Sequence, residues 1–264
     1  MSDAADRSTG GIRVGVIGAG GRMGAAVCEA VAGADDLALV AAVDPVSPGE
    51  VLNGVTVEAE IGTMVDTGVD VAVDFTVADA SRRNLPVLAA AGVHVVVGTS
   101  GLTDDDLSEL RSAFTASNCL IVPNFAIGAV LMQRFAEVAA PWFETAEVIE
   151  FHHDEKVDAP SGTALSTVER MAAASADWAD DPTQREVIAG ARGGAGPADI
   201  RIHSVRMRGM VAHQEVVLGT TGQTLVIRHD TTDRSSFMPG VLLAVRNVAG
   251  LSGLSVGLDA LLGL

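Results

Sequence analysis

Five short apolar runs recur along the first half of the chain, with helix-like stretches between them. The runs are Ile12–Ile17, Leu37–Val43, 70–74, His94–Val97 and 119–122, each bounded by glycine or polar residues. The helix-like stretches are Arg22–Ala32, 77–91 (with a kink expected at Pro86) and 103–116. A strand buried on both faces reads as a continuous apolar run, and such strands alternating with helices predict a parallel sheet covered on both sides. Right-handed crossovers wind that sheet into an open α/β fold, here Rossmann-like and doubly wound. Aromatic residues make up only 3% of the chain and tyrosine is absent, so the core must be built from Ala, Val, Leu and Ile.

Ligands of an open α/β sheet settle outside the carboxyl ends of its strands. Those ends carry Gly18, Asp44, Phe75-Thr76, Gly98-Thr99 and Pro123-Asn124. Loops are polar and glycine-rich in any protein, so the first two ends carry most of the argument. The turn Gly18-Ala19-Gly20-Gly21-Arg22-Met23-Gly24 follows a strand and opens a helix, the context of a dinucleotide-binding turn. Its spacing is G-x-x-G-x-x-G, with Met23 where the usual third glycine stands. The physics is unchanged: glycines let the backbone approach a pyrophosphate, and the helix N-terminus favours the anion. Asp44 ends the second strand, where a carboxylate meets the adenosine ribose hydroxyls. Pro45 follows it, not arginine, and a carboxylate there repels a 2′-phosphate. NADH is therefore the expected cofactor, with NADPH accepted if Arg22 reaches the phosphate.

The second half changes character. A helix is expected over 128–139, stopped before Pro141, and residues 146–151 alternate like a half-buried strand. Residues 175–199, rich in Asp, Gly, Ala and Pro, read as a long mobile loop. Strands are expected at 200–206, 215–218 and 224–228, the last two joined as a hairpin by Thr220-Thr221-Gly222-Gln223. A helix is expected over 237–249. This composition fits a second, mixed α+β sheet domain.

The chain's one lysine, Lys156, stands beside a histidine pair in Glu150-Phe151-His152-His153-Asp154-Glu155-Lys156-Val157-Asp158-Ala159-Pro160-Ser161-Gly162-Thr163; every other basic position, histidines apart, is one of 16 arginines. Lysine changes protonation state readily when its surroundings push it, and histidine titrates near neutrality. Taken singly, each feature has a plain explanation: a surface lysine, one core and one surface histidine, an ordinary capped helix start at Ser161. Two adjacent histidines without another suitably spaced ligand make a poor zinc site, and no metal is expected. Together, the proton carriers and the small-residue helix start point to an anionic, carboxylate-bearing substrate that needs a proton.

A formal charge of −17 argues against nucleic acid and against an anionic membrane surface as partners. The stretch 1–11 has no apolar core of a signal peptide, and no run is long enough to span a membrane. Cys28 and Cys119 read as buried free thiols, and the expected location is cytoplasmic.

The run His152-His153-x-x-Lys156-x-Asp158-Ala159-Pro160-Ser161-Gly162-Thr163-Ala164 resembles the signature of the 4-hydroxy-tetrahydrodipicolinate (dihydrodipicolinate) reductases of the diaminopimelate route to lysine. Gly18–Gly24, Gly98-Thr99-Ser100-Gly101 and Pro123-Asn124-Phe125 extend the resemblance over nearly the whole chain. His213-Gln214-Glu215 and Arg228-His229-Asp230 resemble actinobacterial-type members. The resemblance implies that His152 and Lys156 are catalytic, and that His153, Gly162 and Thr163 hold a carboxylate of the cyclic dicarboxylate substrate. It also implies cofactor contacts from Gly18, Ala19, Gly20, Gly21, Arg22, Met23, Asp44, Gly98, Thr99, Ser100, Val122, Pro123, Asn124 and Phe125. The implied assembly is a homotetramer built by the second domain. The implied division is a dinucleotide-binding domain over 1–126, a substrate-binding and oligomerisation domain over 127–236, and a C-terminal helix and tail, 237–264, that return to the first domain. Two positions depart from the pattern: Glu155 replaces a histidine-like residue, and Ser100 replaces threonine.

Two other readings compete. An NAD-dependent amino-acid dehydrogenase would share the first half but has no use for the His-His-x-x-Lys and Ser-Gly-Thr pair at this spacing. A non-catalytic NADH-sensing module would call for a recognition helix or a basic face, and none is evident.

Overall fold

The computed structural model describes residues 11–264, which form two compact units. One comprises the described residues through Phe125 together with Phe237–Leu264; the other is Ala126–Ser236. Most of the polar stretch 1–11 lies outside the described residues.

The first unit is built on an eight-stranded sheet. In chain order its elements are β1 (Ile12–Ile17), α1 (Arg22–Ala32), β2 (Leu37–Val43), β3 (Val51–Leu52), β4 (Val55–Glu58), α2 (Gly62–Asp66), β5 (Val71–Asp74), α3 (Ala78–Ala90), β6 (His94–Val97), α4 (Asp104–Ala113) and β7 (Cys119–Ile121). After the second unit come α7 (Met238–Asn247) and β13 (Leu254–Val256). The strand order is β13-β7-β6-β5-β1-β2-β4-β3, parallel throughout except where β3 folds back on β4. Every residue of β5 and β7 is buried, as expected for strands covered on both faces. Met64, Leu85, Leu88, Leu110 and Phe114 cover one face of the sheet. Helices α1 and α7 pack together and contribute the buried Val27, Val31, Val241 and Val245.

Helix α3 runs unbroken through Pro86. Helix α4 starts on a reciprocal cap between Thr103 and Asp106, with three aspartates in its first turn to complement the helix dipole. The expected helix over 237–249 is shorter, with a 3₁₀ turn at each end of α7.

The β3–β4 hairpin, α2 and β13 are not evident from sequence. Strand β13 is placed by distant bonds: the Asn118 side-chain amide donates to the Val248 and Ala249 carbonyls, and its oxygen accepts from Gly253 N. Leu254 then pairs with Cys119. A bidentate pair between Arg246 and Asp36 (2.7 and 2.8 Å) ties α7 to the loop before β2.

The second unit contains α5 (Ile127–Ala139), β8 (Thr145–His152), α6 (Gly162–Ala174), β9 (Gly194–Ala195), β10 (Arg201–Arg206), β11 (Ala212–Thr220) and β12 (Gln223–Thr231). Its sheet has the order β12-β11-β8-β10-β9 and is mixed, with β8 parallel to β10 and antiparallel to β11. The β11–β12 hairpin closes on Thr221-Gly222, where Gly222 takes φ 83°, a left-handed conformation that glycine adopts freely. One face of the sheet, with Val148, Ile202, Val216 and Leu218, packs on Met132 and Ala136 of α5 and Val168 and Met171 of α6. The segment 175–193 has no regular helix or strand but is tied in by charges. Arg192 pairs with Glu147 (2.7 Å), and Asp181 pairs with Arg201 (2.7 Å).

Both cysteines are free and buried. Burial pushes Cys28 up to about 11 and Cys119 up to about 12, so neither is a ready nucleophile. No described helix is long and apolar enough to cross a membrane.

Candidate functional site

In the first unit, the nucleotide-side candidates gather at the carboxyl edge of the parallel sheet and are joined by direct contacts. Gly18 N and Ala19 N donate to the Val43 carbonyl (2.8 and 3.2 Å), which folds the glycine turn over the end of β2. Gly18 takes φ 78°, and a side chain there would collide with the Phe75 carbonyl. A Cβ on Gly24 would strike the Gly18 carbonyl, so the late third glycine is required by close packing of α1 on the turn. A Cβ on Gly20 would collide with the Ser47 hydroxyl, whose oxygen is buried with no hydrogen-bond partner among the described residues.

Helix α1 has no side-chain cap at Gly21, which leaves its first amides for a ligand. This cradle fits a pyrophosphate: bare backbone, an uncapped helix N-terminus, and Arg22 exposed at its mouth. Asp44 is buried, and its two oxygens accept from Gly20 N (3.0 Å) and Val46 N (2.9 Å). The carboxylate that would meet the ribose therefore also fixes the glycine turn.

The later loops join the same edge. Val122 N donates to the Val97 carbonyl (2.9 Å), so the segment Val122-Pro123-Asn124-Phe125 continues beside Gly98. The Phe75 ring lies over Gly98, where a Cβ would overlap the ring, and stands 5.3 Å from the buried Phe125 ring. Thr99 is buried while Ser100 is exposed.

Behind these loops sits Asp74, fully buried. It accepts from the hydroxyls of Thr76 (2.6 Å), Ser81 (2.7 Å) and Thr99 (3.1 Å) and from Thr76 N (3.0 Å). Burial pushes its carboxyl up, against the pull of those hydrogen bonds. Sequence reasoning placed Phe75 at the ligand edge of the sheet without giving it a contact, and it missed Asp74. The one available signal for Asp74 was its position at a strand end two residues before Thr76.

In the second unit, β8 ends on His152, and the loop that follows folds back toward the N-terminus of α6. Ser161 caps that helix, its hydroxyl accepting from Ala164 N (3.2 Å). A Cβ on Gly162 would meet no atom, so the space before the first turn is open. Thr163 follows in that turn, and its carbonyl accepts from Gln133 (3.3 Å). His153 is exposed just past the strand. Lys156 N donates to the His153 carbonyl (3.2 Å), and Lys156 Nζ grips both oxygens of Asp158 (2.7 and 2.8 Å). The lysine holds the Asp158 carboxyl below its usual range. Glu155 is exposed, and the carboxylate bonded to Lys156 is that of Asp158.

One side chain links these parts. Glu150 is fully buried and meets His152 Nδ1 (2.5 Å), Arg206 with both oxygens (2.8 and 2.9 Å), and Ser161 N (3.2 Å). Burial pushes its carboxyl up, but hydrogen bonds from His152, Arg206 and Ser204 outweigh this and hold it at about 2. Arg206 also donates to the Asp158 carbonyl (2.7 Å). Sequence reasoning missed Glu150 and Arg206, because an acid in an alternating strand reads as a solvent-facing position. Among the described residues, no group of three or more His, Cys, Asp or Glu side chains is arranged to hold a metal.

Two sequence-family models match, dihydrodipicolinate reductase N-terminus over residues 12–125 and dihydrodipicolinate reductase C-terminus over 128–262. The 4-hydroxy-tetrahydrodipicolinate reductase of Nocardia farcinica is 51% identical over 260 residues, covering 96% of this chain and 99% of the relative. That of Mycobacterium sp. (strain JLS) is 48% identical over 257 residues, covering 96% and 100%. Among solved structures, a dipicolinate-bound dihydrodipicolinate reductase from Paenisporosarcina sp. TG-14 superposes with a TM-score of 0.85 at 35% identity, covering 95% of this chain and 99% of that one. Matches of this length and identity, spanning both units and including actinobacterial relatives, place the chain in the dihydrodipicolinate reductase family.

Proposed function

We propose that the chain reduces 4-hydroxy-tetrahydrodipicolinate, by way of dihydrodipicolinate, to tetrahydrodipicolinate with a reduced nicotinamide dinucleotide, in the diaminopimelate route to lysine. The observation that carries this reading is the second-unit cluster, in which one buried carboxylate ties His152 to the helix start at Ser161. A solved relative of the same family is described as dipicolinate-bound, and dipicolinate is a planar ring with two carboxylates.

The dinucleotide, when bound, supplies the hydride. The chain's own residues do the rest. The glycine turn and the first amides of α1 bind the pyrophosphate, and Asp44 takes the ribose hydroxyls with its remaining lone pairs. The Phe75 and Phe125 rings and Gly98 form the apolar floor for the nicotinamide. In the second unit, the first turn of α6 at Gly162 and Thr163, together with His153, receives a substrate carboxylate. His152 and Lys156 stabilise the negative charge that builds along the conjugated ring after loss of water, and return a proton to it. For Lys156 this means releasing Asp158, which faces solvent and can let go at small cost.

Asp44 favours NADH over NADPH, by repulsion of a 2′-phosphate. The expected assembly is a homotetramer built through the second unit. Supporting it is the sheet face away from the helices, which bears the partly exposed Ile149, Phe151, Val205 and Val217 and the half-exposed Val226. The cytoplasm is the expected compartment, where the reduced cofactor is available.

Steady-state assays with enzymatically generated substrate and either cofactor test the reading. Substrate-dependent consumption of NADH, with higher kcat/KM than for NADPH, supports it. Equal efficiency with both cofactors, or preference for NADPH, contradicts the assignment of Asp44.

A further inference from the structure

We propose that Glu150 is the positioning residue for His152: its carboxylate takes the Nδ1 hydrogen, fixes the ring, and leaves Nε2 as the atom that serves the substrate. The inference rests on the function proposed above and assigns a role to a side chain outside the chemistry itself.

Glu150 and His152 are two apart on β8, so their side chains leave the same face of the strand. The contact falls on Nδ1, at 2.5 Å. The same carboxylate also accepts from both terminal nitrogens of Arg206 and from Ser161 N. These donors, the Ser204 hydroxyl and the ring converge on two oxygens. An ionised carboxylate can only accept, so the hydrogen in the short contact belongs to Nδ1. Which ring nitrogen carries the hydrogen is set by the bond that the other makes. In the neutral ring Nε2 is then bare, and in the charged ring it is the donor.

A buried ion pair is a weak device for stability, because desolvation offsets most of the attraction. What this pair does instead is join three parts of the site. Glu150 holds His152 and the amide at the start of α6, and Arg206 holds the Asp158 carbonyl on the loop that carries Lys156. The groups facing Glu150 are Arg206 and the Ser204 hydroxyl from β10, the Ser161 backbone from the α6 approach and, across the ladder on β11, Gln214, whose amide is bonded to Thr167. None of these is a second acid, and the contact at Nδ1 is made by Glu150.

The test is the tautomer of His152, read by long-range ¹H–¹⁵N correlation on the full chain at alkaline pH, with His152→Gln to assign the signals. The expected neutral ring carries its hydrogen on Nδ1. In Glu150→Gln the side-chain amide can donate to Nδ1, and the hydrogen should move to Nε2. Turnover should then fall about 10²-fold while NADH affinity, by fluorescence titration, stays within about twofold. Glu150→Asp should retain the Nδ1–H tautomer and recover part of the turnover.

A wild-type ring with its hydrogen on Nε2 overturns the proposal, and this result does not depend on whether any variant folds. Unchanged turnover in a folded Glu150→Gln overturns it as well. A wild-type protein that holds the Nδ1–H tautomer yet oxidises no NADH with the substrate overturns instead the function proposed above.

Discussion

The Phe75 ring lies directly over the bare Cα of Gly98, and a methyl group at that position would occupy the volume of the ring. Gly98→Ala should therefore displace Phe75 and, through it, the Phe125 ring 5.3 Å away. Overpacking of this kind costs about 1–3 kcal/mol, to be read from denaturant unfolding. NADH affinity should weaken in the same variant, because the displaced rings form the expected nicotinamide floor. Unchanged stability and affinity would mean that this floor adapts freely.

Asp44 holds the glycine turn and is proposed to set the cofactor preference, and one substitution probes both. Asp44→Ala strips the acceptor from Gly20 N and Val46 N and removes the charge proposed to oppose a 2′-phosphate. NADH binding should weaken by about 1–3 kcal/mol, the cost of leaving such groups unpaired. NADPH should lose less, so the preference between the two narrows. Fluorescence titration with each cofactor measures both effects. A uniform loss for both cofactors would assign Asp44 to the turn alone.

Lys156→Ala should lower turnover by about 10²–10⁴, the usual cost of losing an acid–base group. Among the described residues Lys156 bonds with Asp158 and the local turn, so the fold and NADH binding should persist. Full activity in this variant would remove Lys156 from the chemistry.

Much of this arrangement is legible in the sequence, because its causes are local. Buried parallel strands announce themselves as apolar runs, and β1, β2 and β6 have the bounds of those runs, as α1 has those of the helix-like stretch after the glycine turn. The glycine turn and the His-His-x-x-Lys loop are contiguous motifs. What escaped depends on distant partners. β13 is three residues long and becomes a strand only because Asn118 and Cys119 receive it from across the chain. Glu150 becomes the hub of the second-unit cluster through Arg206, 56 residues away. The ties of the 175–193 segment run through Arg192 and Asp181 to strand residues, which composition alone does not reveal.

Glu150 also predicts an acid limit of stability. Its folded-state carboxyl is depressed from 4.5 to about 2, so its contribution is fully present above the unfolded value. That contribution is lost as the pH falls from about 4.5 through about 2. The difference in unfolding free energy between wild type and Glu150→Gln should shrink across this window. A difference that stays constant would mean that the carboxyl is not depressed by its partners.

The most direct test of the central claim follows the NADH absorbance band while purified protein meets enzymatically generated 4-hydroxy-tetrahydrodipicolinate. Stoichiometric loss of NADH that depends on the substrate, and that falls by about 10²-fold or more in Lys156→Ala, is the predicted result. A protein that binds NADH tightly but leaves it unoxidised in the presence of that substrate would contradict the account.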